Sequence, residues 1–595
     1  MLQPRGTSGS GRKRTYTFLA ACSLLAIHTA LLLYAARIDS PTLNEPGHLV
    51  AGISNWQFSR FDIYSVNPPL VRLVAAAPVL VVGCNTDWSD FFVAPGARPE
   101  FALGEDFVRA NGERSIWLIT LARWACISFS AIGACIVYQW SRDLYGEGGA
   151  LLSMALWCFS PTILGHGHLI TSDIAAASLG VAACYMNWRW LRDPNWVRTI
   201  LSGIVLGFAE IAKLSLILLF ALMPLIWLAY RSTAAPRLSR RAWARESAMV
   251  AVQMLLALYV INLGYNFEGF GTRLGDFAFV STYLRPETDV APTAHQSGNR
   301  FSKSWIGSMP IPLPSNYVSG IDLQWLDFDN GAPSYLRGTF SPRGWWYYYL
   351  YAITIKIPLG TWVLFGLACV SGLCDRQRLP NRNEILLLCT ALAFFAFVSF
   401  HTGFSQHLRY LLPAFPFVVI WLGRLAPAFN RQHCVSAAIA AGALAWSIAS
   451  SLWYYPHSLS YFNELAGGPL GGPRHLINSN IDWGQDLLSL RQWLRAHPEV
   501  APIRLAYFGY YDPIFLGVDY ISIRDFIPAQ KTGGTPTIQP GWYAISVNFV
   551  RGQKGFTYNS DGSHLHLEQG ALTAFQELVP VATAGYSIYV FQVTQ

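Results

Sequence analysis

Long apolar runs separated by short polar segments fill most of the first 453 residues. A helix needs about 20 predominantly apolar residues to cross a bilayer, and most of these runs approach or reach that length. The pattern therefore predicts an α-helical polytopic membrane protein with about eleven transmembrane helices. The predicted spans are 18–36, 116–140, 149–164, 169–188, 199–212, 214–230, 247–264, 345–373, 384–401, 408–425 and 434–453.

Beyond residue 453 the long apolar runs stop and shorter periodic patterns begin. Residues 486–494 have helical spacing, whereas 503–508, 542–547 and 586–591 are typical of strands. These patterns predict a small α/β domain over residues 454–595. It would follow a short basic N-terminus, residues 1–17, and a transmembrane domain, residues 18–453.

Two long polar segments, 37–115 and 265–344, interrupt the transmembrane domain. The first contains apolar patches at 46–62 and 68–83, which are too short or too interrupted to cross and suit helices lying along the membrane interface. The aromatic run at 345–349 indicates the interface at which the next span begins.

Composition agrees with a membrane protein, since 52% of residues are hydrophobic and only 13% are charged. The net charge of +8 does not indicate nucleic acid as a partner, because no basic stripe interleaves with aromatics in a polar segment. Most of the ten cysteines lie in predicted spans, so a disulfide framework is not expected.

Basic residues cluster in alternate loops, which orients the chain by the positive-inside rule. The N-terminus is predicted to be cytoplasmic, while 37–115, 265–344 and the domain 454–595 are predicted to be extracytoplasmic. The basic residues that favour this orientation are Arg5, Arg12, Lys13, Arg14, Arg189, Arg192, Arg198, Arg231, Arg237, Arg240, Arg241, Arg245, Arg376, Arg378, Arg382, Arg424 and Arg431.

Two carboxylates are the leading catalytic candidates. Glu45 follows the first span and Asp173 opens a later one, so both are predicted to lie just outside the lipid on the same side. A carboxylate at the mouth of a lipid-facing cavity could deprotonate an acceptor hydroxyl beside a lipid-linked donor. The alternative is structural: Glu45 would close a helix end and Asp173 would cap one.

Three basic residues are predicted to bind a donor phosphate. Lys213 lies between two spans, Arg409 opens a span, and Lys356 lies roughly 17 Å into the span that begins at residue 345. A charge within the bilayer costs on the order of 2.5–3.5 kcal/mol, so each requires a partner. The alternatives are an ion pair of Lys213 with Glu210, and snorkelling or a buried pair for Lys356.

Metal and nucleotide sites have little support. His166 and His168, with Asp173 nearby, could form a metal site together with Glu45 and His48 only if two loops met. Hydrogen-bonding or cavity-lining roles are therefore favoured. No phosphate-binding Gly-Lys-Ser/Thr loop, dinucleotide fingerprint or nucleophile elbow is present. The sequence thus requires no cofactor, and it leaves open whether a divalent cation takes part.

Several motifs, taken in order, resemble the GT-C superfamily of polytopic glycosyltransferases, in the branch of the protein O-mannosyltransferases and the lipid A aminoarabinose transferase. They are Asn44-Glu45, Pro68-Pro69-Leu70, Thr171-Ser172-Asp173, Lys213, Arg409-Tyr410 before Pro413, and the stretch Asn478-Ser479-Asn480-Ile481-Asp482-Trp483-Gly484-Gln485-Asp486-Leu487.

Two departures from that family pattern affect the predicted site. Asn44 stands where the family commonly has an aspartate taken as the acceptor-activating base, so Glu45 or Asp173 would have to replace it, or the protein would be inactive. Asn67 stands where the family has a histidine, which would remove one donor contact. Asn44, His48, Asn67 and His168 are therefore predicted only to line the cavity.

The resemblance implies transfer of a sugar, most commonly mannose, from a polyprenyl-phosphate donor to a hydroxyl of a protein, lipid or polysaccharide. It implies an inverting mechanism on the outer face, with a bacterial inner membrane as the expected location. Two alternatives stay open: a non-catalytic protein of envelope polysaccharide assembly or export, which Asn44 favours, and a transporter, which the position of the acids at one face disfavours.

Overall fold

A computed structural model describes residues 8–233, 239–286, 297–374, 382–400, 406–429, 434–524 and 538–594. Of the basic residues predicted to orient the chain, Arg5, Arg237, Arg376, Arg378 and Arg431 lie outside these ranges. The described chain is mainly helical. Its α-helices are α1 Ser8–Ile38, α2 Glu45–Phe58, α3 Leu70–Val82, α4 Glu100–Asn111, α5 Arg114–Cys158, α6 Pro161–His166, α7 Ser172–Arg192, α8 Trp196–Glu210, α9 Leu218–Ser232, α10 Arg240–Gly264, α11 Ser315–Asn330, α12 Tyr348–Lys356, α13 Leu359–Cys374, α14 Arg382–Phe400, α15 Phe415–Leu422, α16 Cys434–Trp453, α17 Gly468–Gly471, α18 Leu487–Ala496 and α19 Val547–Val550.

The prediction of a multi-pass membrane protein is confirmed. Within the described ranges, seven helices are long and apolar enough to cross a membrane, and eight if the bent pair α12 and α13 is one span. The count of eleven stays a prediction. One predicted boundary is wrong: span 149–164 is divided between the end of α5 and the short helix α6, because Ser160-Pro161 begins a new helix.

The prediction of one continuous span over 345–373 is also wrong. Helix α12 ends at Lys356, and α13 starts at Leu359 after a bend of 111°. Pro358 causes the break, because proline lacks the backbone N–H that a continuing helix would use and disfavours helical backbone at the residue before it. Lys356 is therefore the last residue of a helix and not a residue within a continuous span.

The two apolar patches after the first span are helical, as α2 and α3, but α2 does not lie on a surface. Its residues from Glu45 to Asn55 are buried. Glycines allow this close packing: a Cβ at Gly47 would lie 2.8 Å from the carbonyl oxygen of Glu100, at the start of α4. The first eleven residues of α2 are consequently a packed part of the core.

The region after residue 453 contains a five-stranded sheet in the order β4-β3-β5-β9-β8. Strand β3 pairs in parallel with β4 and β5, whereas β9 runs antiparallel to both β5 and β8. The predicted strands at 503–508, 542–547 and 586–591 are confirmed as β3, β5 and β9, and the predicted helix is α18. The strands are β1 Ser334–Leu336, β2 Thr339–Ser341, β3 Ile503–Ala506, β4 Tyr520–Ser522, β5 Gly541–Ser546, β6 Gly555–Tyr558, β7 His564–Leu567, β8 Ala582–Ala584 and β9 Ile588–Val593.

Candidate active site

Asp173 is the centre of a buried charge cluster. It lies in the first turn of α7, where the positive end of the helix dipole favours a carboxylate. Its Oδ1 lies 2.5 Å from Nζ of Lys213, and its Oδ2 accepts from Nη1 of Arg409 at 3.1 Å. The structure thus brings together three of the predicted site residues, which come from three separate parts of the chain.

Lys213 does not pair with Glu210. Its Nζ is directed to Asp173 instead, and Glu210 accepts a hydrogen bond from the Tyr317 hydroxyl at 3.2 Å. The alternative reading of Lys213 as one half of a local helical pair is therefore wrong. The break between α8 and the 3₁₀ turn Leu214–Ile217 turns Lys213 away from α8.

Arg409 is held between a carboxylate and aromatic rings. Its guanidinium lies 4.1 Å from the ring centroid of Trp483 and 5.2 Å from that of Tyr410. Cation–π contacts of this geometry fix a guanidinium without neutralising it. The Nε of Arg409 is buried and has no hydrogen-bond partner among the described residues. Arg409 therefore has an unused donor inside the protein.

A polar cavity of about 10 Å³, which has room for about one water molecule, lies beside Arg409. Lys356 and His166 also line it, and Nδ1 of His166 is a second buried nitrogen without a partner among the described residues. Lys356 neither snorkels nor pairs with a carboxylate: its Nζ donates to the carbonyl oxygens of Leu459 at 3.0 Å and Asn480 at 2.6 Å. The cavity thus gathers the side chains of Arg409, Lys356 and His166, with an unused donor on Arg409 and a ring nitrogen of His166 that has no partner among the described residues.

An apolar groove of about 470 Å³ adjoins the polar cavity, and Thr162 and Leu408 line both. Helices α12, α13 and α14 form it together with residues 408–422. Both arms of the bent pair α12 and α13 contribute lining residues to this groove. Side chains that line the groove include Leu350, Ile353, Phe365, Leu392, Phe395 and Val418.

Glu45 is fully engaged in a different buried pair. Its carboxylate accepts from Nε and Nη2 of Arg123 at 2.8 and 2.5 Å, from the backbone N–H of Ile170 at 3.0 Å, and from the N–H and hydroxyl of Thr42. Burial would raise the pKa of Glu45, but the charge and hydrogen bonds of Arg123 outweigh it and the pKa is lowered. These contacts favour the structural role for Glu45, and its catalytic role stays a prediction.

The residues predicted to line the cavity have separate roles. Asn67 accepts a hydrogen bond from the Ser172 hydroxyl at 3.0 Å, next to Asp173. His168 contacts Asp39 at 3.1 Å through Nε2. His48 packs its ring 4.3 Å from that of Tyr64, and burial, followed by the charge of Arg72, lowers the pKa of His48 to about 3.

Asn44 connects two aromatic residues. Its side-chain amide donates to the Tyr64 hydroxyl at 2.5 Å and accepts from the indole N–H of Trp483 at 3.2 Å. The segment from Asn478 to Asp486, which the sequence singled out only by resemblance, thus reaches the site and supplies Trp483 and the Asn480 carbonyl oxygen.

Sequence reasoning missed Arg123 and Trp483. Arg123 left a signal, since it is the only charged residue of the predicted span 116–140 and a buried charge needs a partner. Trp483 was noted only within the stretch from Asn478 to Leu487 and had no predicted role, because its contacts join segments about 440 and 70 residues away in the chain. Within the described ranges, no three His, Cys, Asp or Glu side chains are grouped so that they could hold a metal ion.

Residues 116–265 match the family model described as dolichyl-phosphate-mannose-protein mannosyltransferase. Several solved structures are similar in fold over most of the chain. An ArnT from Cupriavidus metallidurans in the apo state has 13% identity and a TM-score of 0.44, covering 96% of this chain and 97% of its own. The S. cerevisiae protein O-mannosyltransferase Pmt1-Pmt2 complex has 12% identity and a TM-score of 0.49, covering 74% and 90%.

An oligosaccharyltransferase from Archaeoglobus fulgidus has 11% identity and a TM-score of 0.42, covering 92% of this chain and 74% of its own. No curated protein matches in sequence. The family model covers α5 to α10, which include Asp173 and Lys213. The match confirms the resemblance drawn from the motifs: about a quarter of the chain, residues 116–265, is similar to the family of the protein O-mannosyltransferases.

Proposed function

We propose that the protein transfers a sugar from a polyprenyl-phosphate donor to an acceptor hydroxyl. The observation that carries the proposal is the junction of the polar cavity with the apolar groove at Thr162 and Leu408. A polyprenyl phosphate has the same two-part chemistry, an anionic head on a long apolar chain. The groove would hold the chain, and the phosphate would bind at the polar cavity, whose lining side chains would move apart to admit it.

Affinity for the donor would come mainly from its head. A lipid chain that leaves the bilayer for the groove exchanges one apolar environment for another, so its transfer contributes little. A phosphate oxygen in the polar cavity could accept from the unused Nε of Arg409 and from His166, beside the charge of Lys356. Charge-assisted hydrogen bonds of this kind are worth about 1.5–3 kcal/mol each.

Asp173 is the carboxylate that the geometry favours as base. Each of its oxygens has one cationic partner, and one of these partners, Arg409, lines the polar cavity, whereas each Glu45 oxygen accepts at least two hydrogen bonds. A phosphate that attracts Arg409 would weaken the 3.1 Å contact to Asp173 and leave Oδ2 free to accept a proton. The acceptor hydroxyl would give its proton to Asp173, its oxygen would bond to the anomeric carbon, and the bond from that carbon to the phosphate oxygen would break.

The electron pair of that bond leaves with the lipid phosphate, whose charge Arg409 and Lys356 would stabilise. Attack opposite the leaving phosphate inverts the anomeric centre. Mannose as the sugar, a protein, lipid or polysaccharide as the acceptor, and an outer-face site in a bacterial inner membrane are further parts of the proposal. The chemistry of these residues uses no cofactor, and participation of a divalent cation is a question for experiment.

The test is binding of undecaprenyl phosphate to purified protein in nanodiscs. Arg409→Met should weaken binding about ten- to hundredfold, since it removes one or more charge-assisted contacts. Arg424→Met is the matched control: Arg424 is equally buried, lies 3.5 Å from Glu384 and stacks on Trp421, but it does not line the polar cavity.

The control variant should bind undecaprenyl phosphate as the wild type does. Equal binding by wild type and Arg409→Met would contradict the proposed phosphate site. Incubation with a radiolabelled polyprenyl-phosphate sugar then separates transfer from uptake, because only transfer yields a labelled acceptor.

A further inference from the structure

The segment from Asn478 to Asp486 is anchored to the five-stranded sheet. The carboxylate of Asp482 accepts hydrogen bonds from the Ser546 hydroxyl and from the Gly484 N–H. Oδ2 of Asp486 accepts from the backbone N–H groups of Tyr586 and Ser587 at 3.1 and 3.0 Å. The two ends of the Asp482–Asp486 turn are therefore bonded to the last residue of β5 and to the residues just before β9.

The same turn is also bonded to the loop after α1. The N–H of Leu43 donates to the carbonyl oxygen of Trp483 at 2.9 Å, and the N–H of Ser40 donates to the carbonyl oxygen of Gln485 at 2.8 Å. These two backbone bonds hold Trp483 against the loop that carries Asn44. Trp483 is 3% exposed, so its ring is enclosed on every side.

Trp483 joins that loop to Arg409, whose side chain lines the polar cavity. Its indole N–H donates to Asn44, which also bonds Tyr64, and its ring lies 4.1 Å from the Arg409 guanidinium. The carboxylate of Asp173 also attracts Arg409, with Nη1 of Arg409 at 3.1 Å from Oδ2 of Asp173. A ring that occupies one face of the guanidinium limits how far Arg409 can turn toward Asp173.

We propose that Trp483, oriented by Asn44, is a positioning residue that keeps Arg409 directed to the donor phosphate. This inference rests on the proposed function, because it assigns a purpose to the orientation of Arg409. It also gives Asn44 a role that needs no proton transfer: the amide anchors an indole at the position where an aspartate would act as a base. The region after residue 453 thus contributes directly to the donor site.

The test compares variants that remove the hydrogen bond between Trp483 and Asn44 from one side, from the other side, or from both. Trp483→Phe keeps a ring near Arg409 but loses the N–H, and Asn44→Leu loses the acceptor of that N–H. Each should weaken undecaprenyl phosphate binding about three- to tenfold, a typical effect of one lost hydrogen bond. The double variant should bind no more weakly than either single variant, because both changes remove the same interaction.

Asn44→Asp is the rescuing variant. A carboxylate still accepts from the Trp483 indole, and the Tyr64 hydroxyl can donate to its second oxygen, so binding should stay within about twofold of the wild type. Trp493→Phe is the matched control, since Trp493 lies in α18 with its ring 4.3 Å from that of His497 and away from the polar cavity. Binding by this variant should equal that of the wild type.

If Trp483 had a purely structural role, Trp483→Phe and Asn44→Leu would lower the melting temperature and leave the affinity of the folded protein for undecaprenyl phosphate unchanged. That result would overturn the inference. Additive losses in the double variant would overturn it as well. The proposed function fails separately, if the wild-type protein itself does not bind undecaprenyl phosphate.

Discussion

Replacement of Glu45 by Gln separates the structural and catalytic roles of this residue. Both carboxylate oxygens accept N–H groups: one from Arg123 and Ile170, the other from Arg123 and Thr42. In either orientation a glutamine would place its own NH₂ group against two donors. Glu45→Gln therefore creates a donor–donor conflict and leaves the Arg123 charge without its carboxylate.

The expected loss is large because Arg123 and Glu45 are 1% and 0% exposed. Removal of one partner of a buried pair costs about 3–5 kcal/mol. The other contacts of Arg123 soften this cost, since its guanidinium also donates to the carbonyl oxygens of Ala36, Asp39 and Ser40 at 3.0, 2.6 and 2.8 Å. We expect Glu45→Gln to lose activity together with folded protein.

The pH dependence has a definite sign. The pKa of Glu45 is lowered in the folded protein, so its carboxylate stabilises the fold above its usual pKa of about 4.5, and this stability is lost as the pH falls through the lowered value. The contribution of Glu45 should therefore be complete near neutral pH. The Glu45→Gln variant should lack this contribution to stability at every pH above about 4.5.

The assay is thermal unfolding in detergent together with transfer activity per folded molecule. Asp173→Asn is the comparison, because Asp173 has the same burial but lies in the charge cluster beside the polar cavity. The reasoning would be refuted if Glu45→Gln unfolded at the wild-type temperature and still lost about 10²–10⁴-fold in kcat. Such a result would identify Glu45 as the general base.

Three further predictions follow from individual contacts. Asp173→Asn should lower kcat about 10²–10⁴-fold while changing undecaprenyl phosphate binding less than Arg409→Met does; full turnover by this variant would exclude Asp173 as the base. Burial raises the pKa of Asp482 to about 7, so the folded protein should lose stability as pH rises from about 4 to 7; a melting temperature in Asp482→Asn with the same pH dependence as the wild type would refute this. Reporter fusions after Arg245 and after Gln595 should report the cytoplasm and the outside respectively, and the same signal from both would refute the predicted orientation.

The sequence patterns agree best with the structure for features that depend only on residues near one another in the chain. Apolar runs gave the membrane helices and alternating residues gave β3, β5 and β9, because both patterns arise from the repeat of a single element. The break at Pro358 was also readable from a local rule, although the run over 345–373 was interpreted as continuous. Local steric effects outweighed hydrophobic length there.

The partners of charged side chains were harder to predict from the sequence. Glu45 and Asp173 look alike in sequence, as acidic residues beside predicted spans, yet one is paired with Arg123 and the other with Lys213 and Arg409. Lys213 was equally compatible with Glu210, three residues away. The choice between such partners depends on how separate helices pack, which no spacing along the chain encodes.

The sequence by itself therefore determined the class of protein, the approximate helices and strands, and the residue types available for chemistry, because hydrophobic length and periodicity are properties of short segments. Only the tertiary structure decided which charges meet. It buried Glu45 against Arg123, gathered Arg409, Lys356 and His166 around one cavity, and brought Trp483 from beyond the last long helix onto Arg409. These contacts form only when distant segments pack together, since each buried charge is stable only beside a partner that the fold supplies.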